Sequence, residues 1–343
     1  MKSDVYFTSM WLQLKVVELY YIREIPQKEI AAMLHISEPS VSRMVKRGKA
    51  DGFIRFVIPD RFQPALEMGY AIENMYGLRQ VIVAPKEDHM PSNKRKPGGD
   101  VDLESSEIMK KAVAIEGARY LERIIRKEDV LGIAWGGTIY HFIQYLNPCR
   151  RTDIPFITLH GSIDDTTLLD QDVDQMTKRM AMALGGDYYT LHHSGRLAEG
   201  ETMEQLEKVR SVQKVIDYSK RLTITVSGVG ALYPQMDSPL VQGTFLSAIE
   251  KDELMEKGAC ADFLLHFLDQ NGNEIESSVR DKTMSISLDM YKNTPNKIVV
   301  ASGGIKAHAV RALLRAKLAD VLVIDEALAR GLLSLNASEN VAF

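Results

Sequence analysis

Two cysteines in 343 residues, Cys149 and Cys260, leave this chain without the material for a disulfide framework. Neither belongs to a CxxC pair or a Cys/His cluster, so no zinc site is expected. Isolated thiols fit a reducing compartment, and the expected location is the cytoplasm. Long apolar runs are missing too. No stretch is long enough to span a bilayer, and the first residues, with Asp4, do not read as a secretory signal. No membrane partner is expected. Neither charge sign dominates: 42 Lys and Arg stand against 46 Asp and Glu, for a formal net charge of −4. That balance excludes a protein that coats nucleic acid along its whole length, but it leaves room for a local basic module. Walker A loops and dinucleotide fingerprints are absent, so neither a nucleoside triphosphate nor NAD is expected, nor any other cofactor. The pair His192-His193 has no carboxylate or cysteine at metal-ligand spacing, and no metal is expected.

What the chain does have is apolar material, at 45 %, and enough length for two or three domains. The first 60 residues read as three short helices. Residues 9–21 carry Trp11, Leu14, Val17, Leu19 and Tyr20 at roughly helical spacing. A second helix runs from Pro26 to Leu34, with Ile30 and Ala31 facing inward and Gln27 in its first turn. His35 and Ile36 form a turn, and Ser37 caps a third helix that opens Glu38-Pro39-Ser40. Val41, Met44 and Val45 form its apolar stripe, packing back on the first helix.

This spacing predicts a helix-turn-helix whose second helix enters the major groove of DNA. Its candidate DNA-contacting residues are Gln27, Ser37, Glu38, Ser40, Ser42, Arg43, Lys46 and Arg47. The serines supply short hydroxyls, and Arg43 suits either a guanine edge or a phosphate. Residues 37–56 hold five Lys or Arg against two acids, so the basic excess is local. Glycine is commonest where His35 stands, although histidine tolerates a left-handed backbone better than most residues. Residues 53–58 read as a short strand suited to a wing. A boundary follows, dividing the chain into a DNA-binding domain, 1–59, and a body, 60–343.

In the body, strands alternate with helices. Strands are expected at Gln80–Ala84, 130–134, 156–160, 188–191, 222–227, 263–268, 297–301 and 321–324, with helices at 106–125, 205–218 and 306–316 among others. That order predicts an α/β domain with a mostly parallel, doubly wound sheet. The polar segment 86–105 reads as an exposed loop, with Lys94-Arg95-Lys96 a lesser candidate for phosphate contact.

Glycine-rich turns follow several strands: Gly136-Gly137-Thr138, Gly161-Ser162, Gly228-Val229-Gly230 and Ser302-Gly303-Gly304 with Lys306. Turns at strand carboxyl ends expose backbone N–H groups and suit an anion. Asp325 caps the last helix or touches ligand, while Trp135 and Phe245 pack or wall the pocket.

These residues resemble the SorC family of sugar-responsive transcription regulators. The resemblance spans nearly the whole chain. It rests on Val41-Ser42-Arg43 and on the run from Gly132 to Thr138, which fits G-x-x-W-G-x-T. It continues with Gly258-Ala259-Cys260-Ala261-Asp262, Asp269 and Gly272, Ala301-Ser302-Gly303 with Lys306, and Ile324-Asp325-Glu326 with Ala329. It implies a fold of the glucosamine-phosphate deaminase and ribose-phosphate isomerase type, and a homo-oligomer, commonly a tetramer. It also implies a phosphorylated sugar or polyol effector that alters the hold on operator DNA. By position, Gly136, Thr138, Gly161, Ser162, Asp262 and Lys306 would bind that effector. Asp262 would accept sugar hydroxyls, and Lys306 would meet phosphate or a sugar oxygen.

Ala261, Ser302 and Ser162 stand where the family has glycine, which implies an effector of unusual size. The expected protein is therefore a regulator of a carbohydrate-utilisation operon and not an enzyme. The alternative is a sugar-phosphate isomerase or deaminase carrying a helical appendage. Asp262 and Lys306 would then need a second base, which the sequence does not display.

Overall fold

Ser37 illustrates how local chemistry sets the first elements. Its hydroxyl accepts the backbone N–H of Ser40 and so opens the third helix. The computed structural model describes residues 10–56, 62–85, 101–147, 152–163 and 172–340, the side chains of 101–105 and 338–340 excepted. It separates into two units, Met1–Asp60 and Arg61–Phe343.

The first unit holds α1 (Met10–Tyr21), α2 (Gln27–Met33) and α3 (Glu38–Ala50). His35 adopts a positive φ of 51° after α2, and its neighbour Ile36 returns a backbone hydrogen bond to Ala31. Val16, Leu19, Ile30, Val41 and Val45 close the core. Each such burial contributes about 1.5–3 kcal/mol before entropy is counted.

Two expectations need correction here. Trp11 and Leu14 are 65 % and 50 % exposed, because α1 turns Gln13, Val16, Val17 and Leu19 toward its partners instead. Nor do residues 53–56 form a strand. Phe53 closes the end of α3 by bonding to Gly48, and Phe56 folds back against Tyr21 with Lys49 over its ring. Residues 57 and 58 lie outside the described residues.

The second unit begins with α4 (Gln63–Tyr76), β1 (Gln80–Ala84), α5 (Val101–Ile124), β2 (Leu131–Ile133), α6 (Gly137–Gln144) and β3 (Ile154–Thr158). It continues through α7 (Val173–Leu184), β4 (Gly186–Tyr189), α8 (Met203–Leu206), α9 (Arg210–Ser219) and β5 (Ile224–Ser227). Next come β6 (Gly230–Ala231), α10 (Pro239–Gln242), α11 (Ala248–Glu256), β7 (Ala261–Phe263) and β8 (His266–Leu268). It ends with α12 (Leu288–Lys292), β9 (Asn296–Ala301), α13 (Ala307–Arg315), β10 (Val321–Asp325) and α14 (Glu326–Asn340).

Seven strands form one all-parallel sheet in the order β1-β10-β9-β5-β2-β3-β4. Apolar clusters cover both faces, as the α/β reading expected. From β2 the chain runs outward to β3 and β4, then returns to lay β5 on the other side of β2. The order therefore reverses between β2 and β5, where open α/β sheets present a crevice.

The strand expected at 263–268 is instead a hairpin, β7 and β8, which joins β6 in a separate antiparallel sheet. Leu264 and Leu265, at φ of 53° and 66°, make the two-residue turn. Positive φ at both positions matches the twist of an antiparallel pair. The helix expected at 205–218 is two helices, α8 and α9, broken at 207–209. Residues 101–105, taken with the loop, belong to α5, whereas 86–100 lie outside the described residues. Cys260 is buried, and Cys149 lies outside the described residues. No described helix is long and apolar enough to cross a membrane.

Candidate functional site

At the reversal between β2 and β5 lies a cavity of about 350 Å³. Residues 134–139 line it from the end of β2 and the start of α6, and Gly228, Val229 and Gly230 from the end of β5. The small sheet contributes Asp262 and Leu264, the segment around α10 adds Asp237, Pro239 and Gln242, and Lys306 arrives ahead of α13. Four of the six expected effector residues, Gly136, Thr138, Asp262 and Lys306, thus face one space. Gly161 and Ser162 do not line it. They sit in a backbone seam, Gly161 bonding to Met284 and Ser162 to His193.

Asp262 is only 5 % exposed, and its Oδ2 has no hydrogen-bond partner. Room for that carboxylate comes from its neighbour in the ladder, Gly230: a Cβ there would stand 1.8 Å from Oδ2. Burial raises the Asp262 pKa to about 6, opposed by the Ser238 hydroxyl and the Lys306 charge. Lys306 donates to the Val229 carbonyl at 3.0 Å and lies 3.6 Å from Asp237 Oδ2. One ammonium therefore serves two carboxylates.

Three residues unforeseen in the sequence complete the wall where α5 meets α6. Glu107 accepts from Lys110 at 2.8 Å and lies 3.3 Å from His141 Nε2. All three line the cavity. The Lys110 hydrogen bond holds Glu107 below the usual carboxylate range. His160 acts from behind. Its Nε2 accepts the Trp135 N–H at 3.2 Å, and its Nδ1 meets the Gly161 carbonyl at 2.8 Å. Burial lowers its pKa to about 4, so the ring is neutral and fixes the turn that starts α6.

Other expectations resolve differently. Asp325 accepts from Ser302, Gly303 and Leu328, so it caps α14 and pins the 302–303 turn. The Ser302 hydroxyl is committed to that bond, Ala261 is buried in β7, and neither they nor Ser162 line the cavity. Their extra atoms do not line this space. Trp135 walls the cavity, while Phe245 is buried in the core beside the small sheet. His192 and His193 each face a carboxylate, Asp174 at 3.5 Å and Glu201 at 3.0 Å. Asp269 bonds to Asn271 and Asn273 and shapes the turn after β8.

In the first unit, α3 exposes Glu38, Arg43, Lys46 and Arg47, with Ser40 and Ser42 half-buried, Ser37 exposed at the cap and Gln27 half-buried on α2. Arg43 donates to the Ser40 hydroxyl, itself 2.8 Å from that of Ser37. The guanidinium is thereby drawn toward the amino end of the helix, the part that reads base edges in a helix-turn-helix. Arg47 is drawn the other way, to Asp51. Asp51 also accepts from Gln13, which ties α1 to the far end of α3.

Comparison with known proteins agrees with both units. Residues 60–334 match the family described as "Putative sugar-binding domain", and residues 12–51 match sigma-70 region 4. The chain is 26 % identical over 329 residues to the deoxyribonucleoside regulator of Bacillus subtilis (strain 168), covering 94 % of this chain and 97 % of that one. It is 24 % identical over 325 residues to the erythritol catabolism regulatory protein EryD of Brucella abortus (strain 2308), covering 94 % and 96 %. The crystal structure of the full-length sorbitol operon regulator SorC from Klebsiella pneumoniae has the same fold. Its TM-score is 0.69 at 20 % identity, over 94 % of this chain and 98 % of that one.

Proposed function

The chain belongs to the family described as "Putative sugar-binding domain", and from that premise we propose that it is a SorC-type, DNA-binding transcriptional regulator of a carbohydrate-utilisation operon. A phosphorylated sugar or polyol in the cavity controls its hold on the operator. The observation that carries this reading is Asp262, a buried carboxylate whose Oδ2 lacks a partner, on the lining of a cavity shared with Lys306. A buried polar atom left unpaired costs about 1–3 kcal/mol, and a ligand hydroxyl would recover it. The curated relatives named for deoxyribonucleoside and erythritol systems support a polyhydroxylated effector.

Ser37, Ser40, Ser42, Arg43, Lys46 and Arg47, with Gln27 and Glu38 beside them, meet the operator. The protein works as a homo-oligomer, expected to be a tetramer, so that paired recognition helices reach repeated half-sites. The effector shifts the oligomer between arrangements only by its unequal affinity for them.

Purified protein on the DNA upstream of its own operon tests this in a gel-shift titration. Binding is expected to weaken steeply with salt and to change on adding the right sugar phosphate. Binding indifferent to every sugar phosphate and polyol in a broad panel would sink the proposal. A catalytic reading has one observation in its favour: the His141–Glu107 pair supplies the second base the sequence did not display, on the same cavity as Asp262. Turnover of a sugar phosphate by the purified protein would establish it.

A further inference from the structure

A second cavity, of about 240 Å³, lies beside α9, and no described residue lines both it and the first. Leu159 and Leu191 line it after β3 and β4, Val212 and Val215 line it from α9, and Met284 and Met290 line it ahead of α12 and on it. Methionine side chains adjust to the shape of a guest. A dry apolar cavity of about 150 Å³ is enough to hold benzene, so this one has room for a single substituted ring.

Four hydroxyls belong to its lining: those of Thr158, Ser219, Ser285 and Ser287. Three have partners. Ser219 donates to the Ile216 carbonyl at 2.8 Å, and Ser285 lies 3.4 Å from the carbonyls of Leu159 and Ile286. Ser287 accepts the Met290 N–H at 3.2 Å and so caps α12. Thr158, the last residue of β3, is only 1 % exposed, and its Oγ1 has no hydrogen-bond partner. Water answers that need poorly, because a buried water makes about three hydrogen bonds and the lining offers one unclaimed hydroxyl.

Charge narrows the guest further. Among the described residues the lining holds no lysine, arginine or histidine, and its one charged side chain is the exposed Glu207. A carboxylate or phosphate entering here would lose its hydration without meeting a cation.

We propose that this cavity is a second ligand site, taking a small, neutral, apolar molecule that carries one hydroxyl or carbonyl for Thr158. The ring or chain is buried against the leucines, valines and methionines, and the single polar group pairs with Oγ1. The inference stands whether or not the first cavity holds the effector.

The full-length protein is titrated with phenol, toluene and benzoate, followed by saturation-transfer NMR. Phenol and toluene are expected to bind with dissociation constants of about 1 mM or below, and benzoate at least about tenfold more weakly than phenol. Thr158→Val keeps the shape and removes the hydroxyl, so the affinity ratio of phenol to toluene should fall about three- to tenfold. Val215→Phe fills the space and should remove both. Melting curves check that each variant folds. Thr158→Val deletes only an unpaired buried hydroxyl and should melt no lower than the unmodified protein, so the ratio remains readable even where the overpacked Val215→Phe fails. If neither phenol nor toluene binds, the cavity is closed or already filled and the proposal is wrong. It is equally wrong if Thr158→Val leaves the ratio unchanged, if benzoate binds as well as phenol, or if a folded Val215→Phe still binds both.

Discussion

Asp262 pays for its position in a measurable way. Its carboxyl takes up a proton at about pH 6 in the fold, against about 3.8 for an ordinary Asp. Between those values the folded chain holds a proton that the unfolded chain has lost, so stability falls as pH rises from about 4 to 6 and stays reduced above. Raising a carboxyl's proton affinity about a hundredfold on folding corresponds to about 3 kcal/mol. Asp262→Asn is therefore expected to flatten the stability profile over that window and raise the melting temperature at pH 7. Thermal melts of both proteins at pH 4, 5, 6 and 7 check this. Parallel profiles would mean that Asp262 titrates as an ordinary surface acid. Gly230→Ala attacks the same arrangement from the facing strand. Its methyl would overlap the Asp262 carboxylate, and binding of the effector should fall at least tenfold in calorimetry.

Elements were legible where their signals are local. The cap at Ser37, the apolar stripe of α3 and the glycine turns after β2 and β5 are written in adjacent residues, and the structure keeps them. The β7–β8 hairpin was not legible, because Leu264-Leu265 carries none of the glycine or asparagine that marks such a turn. Surrounding packing holds both leucines at positive φ, and packing is invisible to a local reading. Glu107, Lys110 and His141 escaped for a related reason. They sit inside ordinary helices, and only the fold brings α5 against α6 to place them on one wall. The crossing of α1 and α3 makes a prediction at this scale. A Cβ on Gly48 would lie 2.3 Å from Val17 Cγ2. Gly48→Ala should destabilise the first unit by about 1–3 kcal/mol, and Val17→Ala in the same chain should return part of the loss. Denaturation midpoints of the single and double variants decide it; additive losses would deny the contact.

Across the whole molecule, the reversal of strand order between β2 and β5 does what no single residue could. It gathers groups from β2, β5, the small sheet and α13 into one cavity, although they lie far apart along the chain. On the proposed division of work between the two units, residues 61–343 alone should keep the calorimetric response to effector while losing retention on operator DNA. A truncated chain that still held DNA with the same salt dependence would place the reading surface elsewhere.

Lys306 has a further consequence. Its ammonium is the tether between the start of α13 and the carbonyl of Val229, where the main sheet hands the chain to the small one. A ligand oxygen that reached this ammonium would share it with Val229 and Asp237. Filling the cavity would then draw on the same tether that holds the small sheet. If Lys306 receives the effector as proposed, the hook for the guest and the latch for the frame are one side chain.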